Sequence, residues 1–393
     1  MADVYKAGRL AATLTRSPHG TTFSYLPEYL SSGLSAVATT LPLADTPVHT
    51  AAGAVPPFFA GLLPEGRRLT SLRLNVKASA DDELSLLLAV GGDAVGDVQV
   101  VSAGTAPEPV PPLIQVDRSF SEVIFEERLT ITGVIDRVAL AGVQDKASAG
   151  MISVPAQRAG RRYLLKVDPP EYPGVVLDEA FFLALASEAG LRPVRWEVVH
   201  DATGRPGLLI ERFDRTPGPD RTTIALPVED GAQVLGLYPA DKYNVTAETV
   251  VTALAAVCPA RAVALRALFA QLCFAWLTGN GDVHAKNLAV LATPEGEWRV
   301  APAYDLPSTL PYRDTTMALA MGGRTAGLSR RSLLDFAADV GLPARSAIST
   351  LDQVLTSTAN LEERLVGAQL PFTAQQLRSI ARAVRQRRRT ALP

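Results

Sequence analysis

The sequence predicts an α+β protein in which a small β-rich domain precedes a bilobal body, the first lobe rich in strands and the second helical. Three observations carry that expectation. Short strand patterns bounded by turns dominate up to about Val167. Helical patterning takes over from Thr246. Between the first domain and the rest lies SAGTAPEPVPPL, Ser102 to Leu113, whose clustered prolines and small residues favour extended backbone and read as a linker. The implied division is a first domain over 1–101, a linker over 102–113, a strand lobe over 114–215 and a helical lobe over 216–393.

In the first domain, VYKAGRLAATLTRSPHGTTFSY reads as hairpin strands turning at His19-Gly20. DDELSLLLAV reads as a short helix with acids in its first turn. Beyond the linker, DEAFFLALASEAGL (Asp178 to Leu191) is Ala/Leu-rich, opens on acids and stops at Gly190, which specifies a helix. WEVVHDATGRPGLLIERF gives two strands around a turn from Ala202 to Gly207. In the helical half, NLAVLATPEGEWRV is a strand pair turning near Pro294 to Gly296.

With 393 residues, 47% hydrophobic and 20% charged, the chain can bury a large core. A net charge of -2 excludes binding of nucleic acid by overall charge. Cys258 and Cys273 cannot make a disulfide framework, and no Cys/His cluster has metal-ligand spacing, so a reducing interior is expected. MADVYKAGRL has no signal-peptide apolar run. Val250 to Trp276 is apolar but broken by Arg261 and Arg266, and reads as buried helix in a cytoplasmic protein.

The chemistry concentrates in TGNGDVHAKNLAVL, Thr278 to Leu291. Asp282 and Asn287 have four residues between them, the Asp-x-x-x-x-Asn spacing of a protein-kinase catalytic loop. There the Asp takes a proton from the acceptor hydroxyl while the Asn turns inward to hold a metal ion. A second metal-binding carboxylate must follow a hairpin that brings the chain back, and APAYDLPST supplies Asp305 there. Asn287 and Asp305 offer Mg²⁺ the oxygen ligands it prefers. Lys166 ends an apolar strand and Glu179 opens the next helix, the pairing that fixes ATP phosphates in kinases. LLIERFDR runs from a strand into a plausible hinge where adenine sits. No GxxxxGK[ST] is present, which excludes a P-loop NTPase. Taken singly, Asp282 or Asn287 is an ordinary turn former and Lys166 a solvated strand-end lysine, while His284 is either a satisfied core or loop histidine or, the preferred reading, a residue that holds the catalytic loop in shape or touches phosphate. Their order along one chain is what points to a protein-kinase-like fold.

The chain resembles the HipA family of toxin kinases from bacterial toxin–antitoxin pairs. TTFSY, PPFFAGLLPEGRR and GGDAVGDV look like that family's N-terminal domain, and AGVQDK, LLKVD, LLIERFDR, NGDVHAKN and APAYDL follow in the family's order. The resemblance implies Asp282 as catalytic base and Asn287 and Asp305 as Mg²⁺ ligands. It implies a loop over the ATP phosphates formed by Ala141, Gly142, Val143, Gln144, Asp145 and Lys146. Lys166 would contact phosphate, and Glu211, Arg212 and Phe213 would face adenine. His284, Ala285, Lys286 and Tyr304 would lie along the nucleotide. The implied activity is ATP- and Mg²⁺-dependent phosphorylation of serine or threonine on a translation protein, in known cases an aminoacyl-tRNA synthetase. The implied partner is a small helix-turn-helix antitoxin that binds operator DNA. One departure stands out: Ala139 and Ala141 occupy places where family members carry regulatory serines, and Ser148 reads as an ordinary loop residue.

Two other readings fit part of the pattern. A small-molecule or antibiotic kinase uses a similar Asp/Asn/Asp set, but needs no domain carrying FFAGLLPEG. A catalytically silent partner acting on DNA with an antitoxin would not need Asp282, Asn287 and Asp305 intact. At the C-terminus, Leu377, Ile380, Ala381 and Val384 form an apolar helical stripe among six arginines, Arg378, Arg382, Arg385 and Arg387 to Arg389. That cluster reads as a solvated tail, with DNA contact the alternative.

Overall fold

A computed structural model describes residues 1–51, 53–79, 82–108, 110–131, 151–218 and 222–393. The expected phosphate loop, Ala141 to Lys146, with Ala139 and Ser148, lies outside the described residues.

Alternating apolar residues at the start of the chain build an antiparallel sheet from β1 (Ala2–Lys6), β2 (Arg9–Ser17), β3 (Gly20–Tyr25), β4 (Val48–Thr50) and β5 (Val98–Ser102), in the order β4-β3-β2-β1-β5. Gly20 is required at the turn into β3, because a Cβ there would lie 1.8 Å from the Thr50 carbonyl oxygen. The sheet buries Val4, Leu14, Phe23 and Val100 against four helices, α1 (Pro27–Leu30), α2 (Pro57–Gly61), α3 (Gly66–Val76) and α4 (Glu83–Val90). Asp82 caps α4, accepting from the Ser85 amide at 3.1 Å. The sequence reading missed α2 and α3, so the domain is less β-rich than expected. Pro56-Pro57 punctuates like a loop, yet proline at a first helical position starts α2.

After the linker come β6 (Ile114–Val116), α5 (Phe125–Ile131), β7 (Ile152–Arg158), β8 (Arg161–Val167), α6 (Val175–Glu188), β9 (Trp196–His200) and β10 (Pro206–Glu211). Their sheet runs β6-β7-β8-β10-β9, antiparallel except for β6 beside β7. Helix α6 starts at Val175, earlier than the acids suggested. Asp168 accepts from the amides of Gly174 at 2.7 Å and Val176 at 2.8 Å and so fixes the helix start. This register buries both Asp178 and Glu179.

A short hairpin, β11 (Arg215–Pro217) and β12 (Thr223–Ala225), leads to β13 (Val228–Asp230), α7 (Gly231–Val234), α8 (Ala247–Val257) and α9 (Arg261–Thr278). The expected strand pair forms as β14 (Ala289–Ala292) and β15 (Trp298–Val300), and β13 joins it as an unanticipated third strand. Helices α10 (Arg330–Asp339), α11 (Ala344–Ser357), α12 (Leu361–Gly367) and α13 (Ala374–Ala391) complete the lobe. Helix α9 is long and apolar enough, by length and composition, to cross a membrane. Here Leu265, Leu268, Phe269, Leu272, Phe274 and Leu277 from it fill the core of the helical lobe.

Arg387 and Arg388 depart from the solvated-tail reading, while Arg378, Arg382, Arg385 and Arg389 are exposed as it expects. Arg387 is buried, lies 4.1 Å from the Trp276 ring centroid and donates to the Trp276 carbonyl at 2.6 Å. Arg388 donates to the Leu355 carbonyl at 2.7 Å, and Arg385 pairs with Glu362. These arginines fasten α13 to the lobe.

Candidate active site

Helix α9 ends where Gly279 takes a left-handed backbone, φ +81°, with Leu310 packed where a side chain would stand. The loop that follows is stitched to the segment after Asp305. Asn280 Nδ2 donates to the Asp305 carbonyl at 2.8 Å, and Asn280 Oδ1 accepts from the Asp282 amide at 3.1 Å. The Gly281 amide donates to Thr309 Oγ1 at 3.0 Å. A Cβ on Gly281 would lie 2.4 Å from the Thr316 carbonyl oxygen, so only glycine fits. One helical turn, Ala285–Asn287, then enters β14. The buried Asp282 carboxylate accepts from the Tyr243 hydroxyl at 2.9 Å.

The hairpin returns the chain to Asp305, whose backbone is left-handed at φ 53°, a strained conformation that aspartate tolerates better than most residues. Its Oδ2 accepts from Asn287 Nδ2 at 3.1 Å, and its Oδ1 pairs with Lys166. Lys166 also donates to both carboxylate oxygens of Glu179 at 2.8 Å. Burial alone would lower the lysine's pKa, but Asp305 and Glu179 outweigh it and hold the ammonium charged. Burial likewise works to raise the Asp305 pKa, and Lys166 overrides it, keeping Asp305 below the usual carboxylate range. Glu179 is raised by burial, with Lys166 opposing. Next to it, burial pushes Asp178 well up, and this carboxyl accepts from the Ser308 amide at 2.6 Å. Helix α6 therefore holds Lys166 with one acid and the post-Asp305 segment with its neighbour.

Lys166 and Asp305 face a cavity of about 370 Å³ between the lobes, with Glu179 and Asn287 bonded to them from outside its lining. Among the expected residues, Lys166, Glu211, Arg212, Phe213, Lys286, Tyr304 and Asp305 line it. Phe213 stacks on Tyr304 with ring centroids 5.8 Å apart, and Tyr304 donates to the Lys286 carbonyl at 2.7 Å. Arg212 is spent on structure: its guanidinium bonds Asp93 and Asp214, each at 2.8 Å, and the Ala94 carbonyl at 2.9 Å. The cavity is chemically suited to a nucleotide, with an aromatic and aliphatic end at Phe213, Ile210 and Val194 and a charged end at Lys166 and Asp305.

The HipA N-terminal domain family matches residues 2–101, and the HipA-like C-terminal domain family matches residues 138–361. The chain belongs to the HipA family. A Sinorhizobium fredii relative named as a candidate kinase, Y4mE, is 30% identical, covering 93% of this chain and 91% of its own. The serine/threonine-protein kinase toxin HipA of Shewanella oneidensis is 26% identical, covering 76% of this chain and 74% of its own. The fold matches the HipA chain in a complex of Shewanella oneidensis HipA, HipB and operator DNA, with a TM-score of 0.77 at 22% identity over 100% of this chain and 96% of that one. The bilobal, kinase-like α+β fold behind an N-terminal domain is thereby established for this HipA-family chain.

Three expected nucleotide neighbours, Ala285, His284 and Asn287, do not line the cavity, and neither does Asp282. Ala285 is fully buried beneath the loop. His284 is also buried, edge-on to Tyr243 at 5.0 Å, and Nδ1 has no hydrogen-bond partner among the described residues. Burial, with Lys242 adding to it, lowers its pKa to about 3, so it is neutral and serves the loop's packing. Its backbone amide donates to Asn287 Oδ1 at 3.1 Å. The sequence reading missed Tyr243 on Asp282, Asn280 beneath Asp305, and the wall from Gly61 to Arg68 that the N-terminal domain adds to the cavity. LLPEG was noticed only as a family mark, and nothing in its pattern announces a place in the cleft. Tyr243 carries no sequence signal at all.

Proposed function

We propose that this HipA-family chain is an ATP-dependent serine/threonine protein kinase of the toxin type. The observation that carries the reading is that Lys166 and Asp305 meet at the charged end of an interlobe cavity, with Glu179 and Asn287 bonded to them and Asp282 on the loop that carries Asn287. Asn287 turns Nδ2 to Asp305 Oδ2 at 3.1 Å and its Oδ1 to the His284 amide, so Mg²⁺, an ion commonly held by one or two protein oxygens together with phosphates, would be held by the Asp305 carboxylate, with Asn287 joining once its oxygen turned toward the ion. Bound there, the metal would neutralise phosphate charge. The chain's own groups do the rest. Lys166, locked by Glu179, would orient phosphate. Asp282 would accept the proton of the attacking hydroxyl, after that hydroxyl replaces Tyr243 on its oxygen. Phe213 and Tyr304 would border the base. The N-terminal wall of the cavity supports a protein kinase over a small-molecule kinase, since the latter has no need of it.

The partner in this reading is a helix-turn-helix antitoxin of the HipB kind, with operator DNA reached mainly through it. The Shewanella complex supports that assignment. The acceptor is a translation protein, with an aminoacyl-tRNA synthetase the first to test, and the compartment is the cytoplasm. In the test, purified protein, Mg²⁺ and labelled ATP are added to a cell extract. Wild type should label serine or threonine on one protein, and Asp305→Asn should not. Equal labelling by both proteins would remove Asp305 from the reaction.

A further inference from the structure

Beyond walling the cavity, the N-terminal domain reaches the catalytic loop through Glu65. Glu65 flanks the start of α3, but its carboxylate does not cap that helix. It turns into the cleft, where Oε2 pairs with Lys242 and Oε1 lies 3.1 Å from Lys286 Nζ. Lys286 also donates to the Gly61 carbonyl at 2.8 Å and lies 3.6 Å from Asp230. Burial would raise the Glu65 pKa, but the two lysines hold it down at about 2, so the carboxylate stays charged. The contact is closely packed: a Cβ on Gly61 would lie 2.8 Å from Gln233 Cγ, and Gln233 Nε2 donates to the Phe58 carbonyl at 3.0 Å.

What the two lysines touch gives the contact its meaning. The Lys242 carbonyl accepts from the Ala285 amide at 3.2 Å, and the next residue, Tyr243, sits on Asp282. Lys286 precedes Asn287, which bonds Asp305. The geometry points to Glu65 as a positioning residue for phosphoryl transfer: from the N-terminal domain it ties Lys242 to Lys286 and thereby fixes Tyr243 on the base and Asn287 beside Asp305. Without that carboxylate, two neighbouring ammonium groups repel, and Lys242 loses its carboxylate partner. This inference rests on the kinase reading for its consequence, but the tie itself can be tested apart from activity.

The experiment compares full-length wild type, Glu65→Gln, and Arg16→Met as a control that breaks an exposed N-terminal pair far from the cleft. Transfer of labelled phosphate is resolved into kcat and the KM for ATP, and amide hydrogen exchange is followed across 279–288 and across α9. Glu65→Gln should lower kcat about tenfold or more, since displacement of a reacting group by 1 Å can cost about 10²-fold. The KM for ATP should change little, exchange across 279–288 should quicken, and α9 and the Arg16→Met protein should match wild type. Unchanged exchange in Glu65→Gln overturns the proposal, whatever kcat does. Should Glu65→Gln not fold, Lys242→Met removes one arm of the tie. It should quicken exchange at Ala285, and wild-type exchange there overturns the proposal equally. If wild type transfers no phosphate, the kinase reading falls, and the exchange comparison still decides whether Glu65 orders the loop.

Discussion

Tyr243 donates its hydroxyl to Asp282 at 2.9 Å, so the carboxylate expected to act as base is already engaged by a residue 39 positions earlier in the chain. Both groups are polar and the carboxyl is buried, so the bond satisfies an oxygen that burial withdraws from water. It holds the Asp282 side chain in one orientation.

Removing either partner should separate stability from chemistry. Asp282→Ala is expected to fold and to lower phosphate transfer by roughly 10²–10⁴-fold. Tyr243→Phe should keep measurable transfer but lose roughly 1–3 kcal/mol of stability, the usual cost of taking a hydrogen-bond partner from a buried polar group. Urea unfolding and labelled-ATP assays on both proteins test this, and normal transfer by Asp282→Ala would refute the site assignment.

Lys166→Met leaves the buried Glu179 carboxylate without its cation. Breaking one side of a buried pair typically costs about 3–5 kcal/mol. The double variant Lys166→Met/Glu179→Gln should recover part of that stability and none of the phosphate transfer. A double mutant as unstable as the single one would contradict the pairing as described.

His284 gives a pH signature. Its folded pKa of about 3 lies below its ordinary value of 6.5, so the unfolded chain binds the proton more readily. The contribution of His284 to stability is therefore full above pH 6.5 and declines as pH falls toward 3. The stability difference between wild type and His284→Phe should be flat from pH 7 to 8 and shrink by about 2 kcal/mol by pH 5. An unchanged difference over that interval would show that the imidazole protonates as readily in the fold as out of it.

Gly281→Ala should be destabilising without any demand on φ. The added methyl meets the Thr316 carbonyl at 2.4 Å and Thr309 Oγ1 at 2.7 Å, so the loop must move off Asp305's segment. A loss of roughly 1–3 kcal/mol is expected from such overpacking, together with reduced transfer. Thermal unfolding measures the first, and a variant as stable and active as wild type would mean the loop is not held as seen.

Much of the scaffold was legible in the sequence because its signals are local. The Ala/Leu run of α6, the turn at Pro294 to Gly296, and the Asp282–Asn287 spacing are all properties of short segments. What stayed hidden depended on distance in the chain. Helix α3 opens on Gly66 with no capping side chain at Glu65, and β13 is too short to announce itself. For His284 the sequence leaves open a satisfied core or loop histidine and a role holding the loop in shape or touching phosphate, and burial places it in the loop's packing.

The sequence by itself determined the order of the lobes and the residue types that meet at Asp305, because spacing and side-chain chemistry are written along the chain. Only the tertiary structure decided who restrains them: Tyr243 on Asp282, Asn280 under Asp305, Glu65 across two lysines, Arg387 against Trp276. Each of those contacts is set by the packing of separate elements, and the burial and opposing charge that give it strength exist only once those elements have come together.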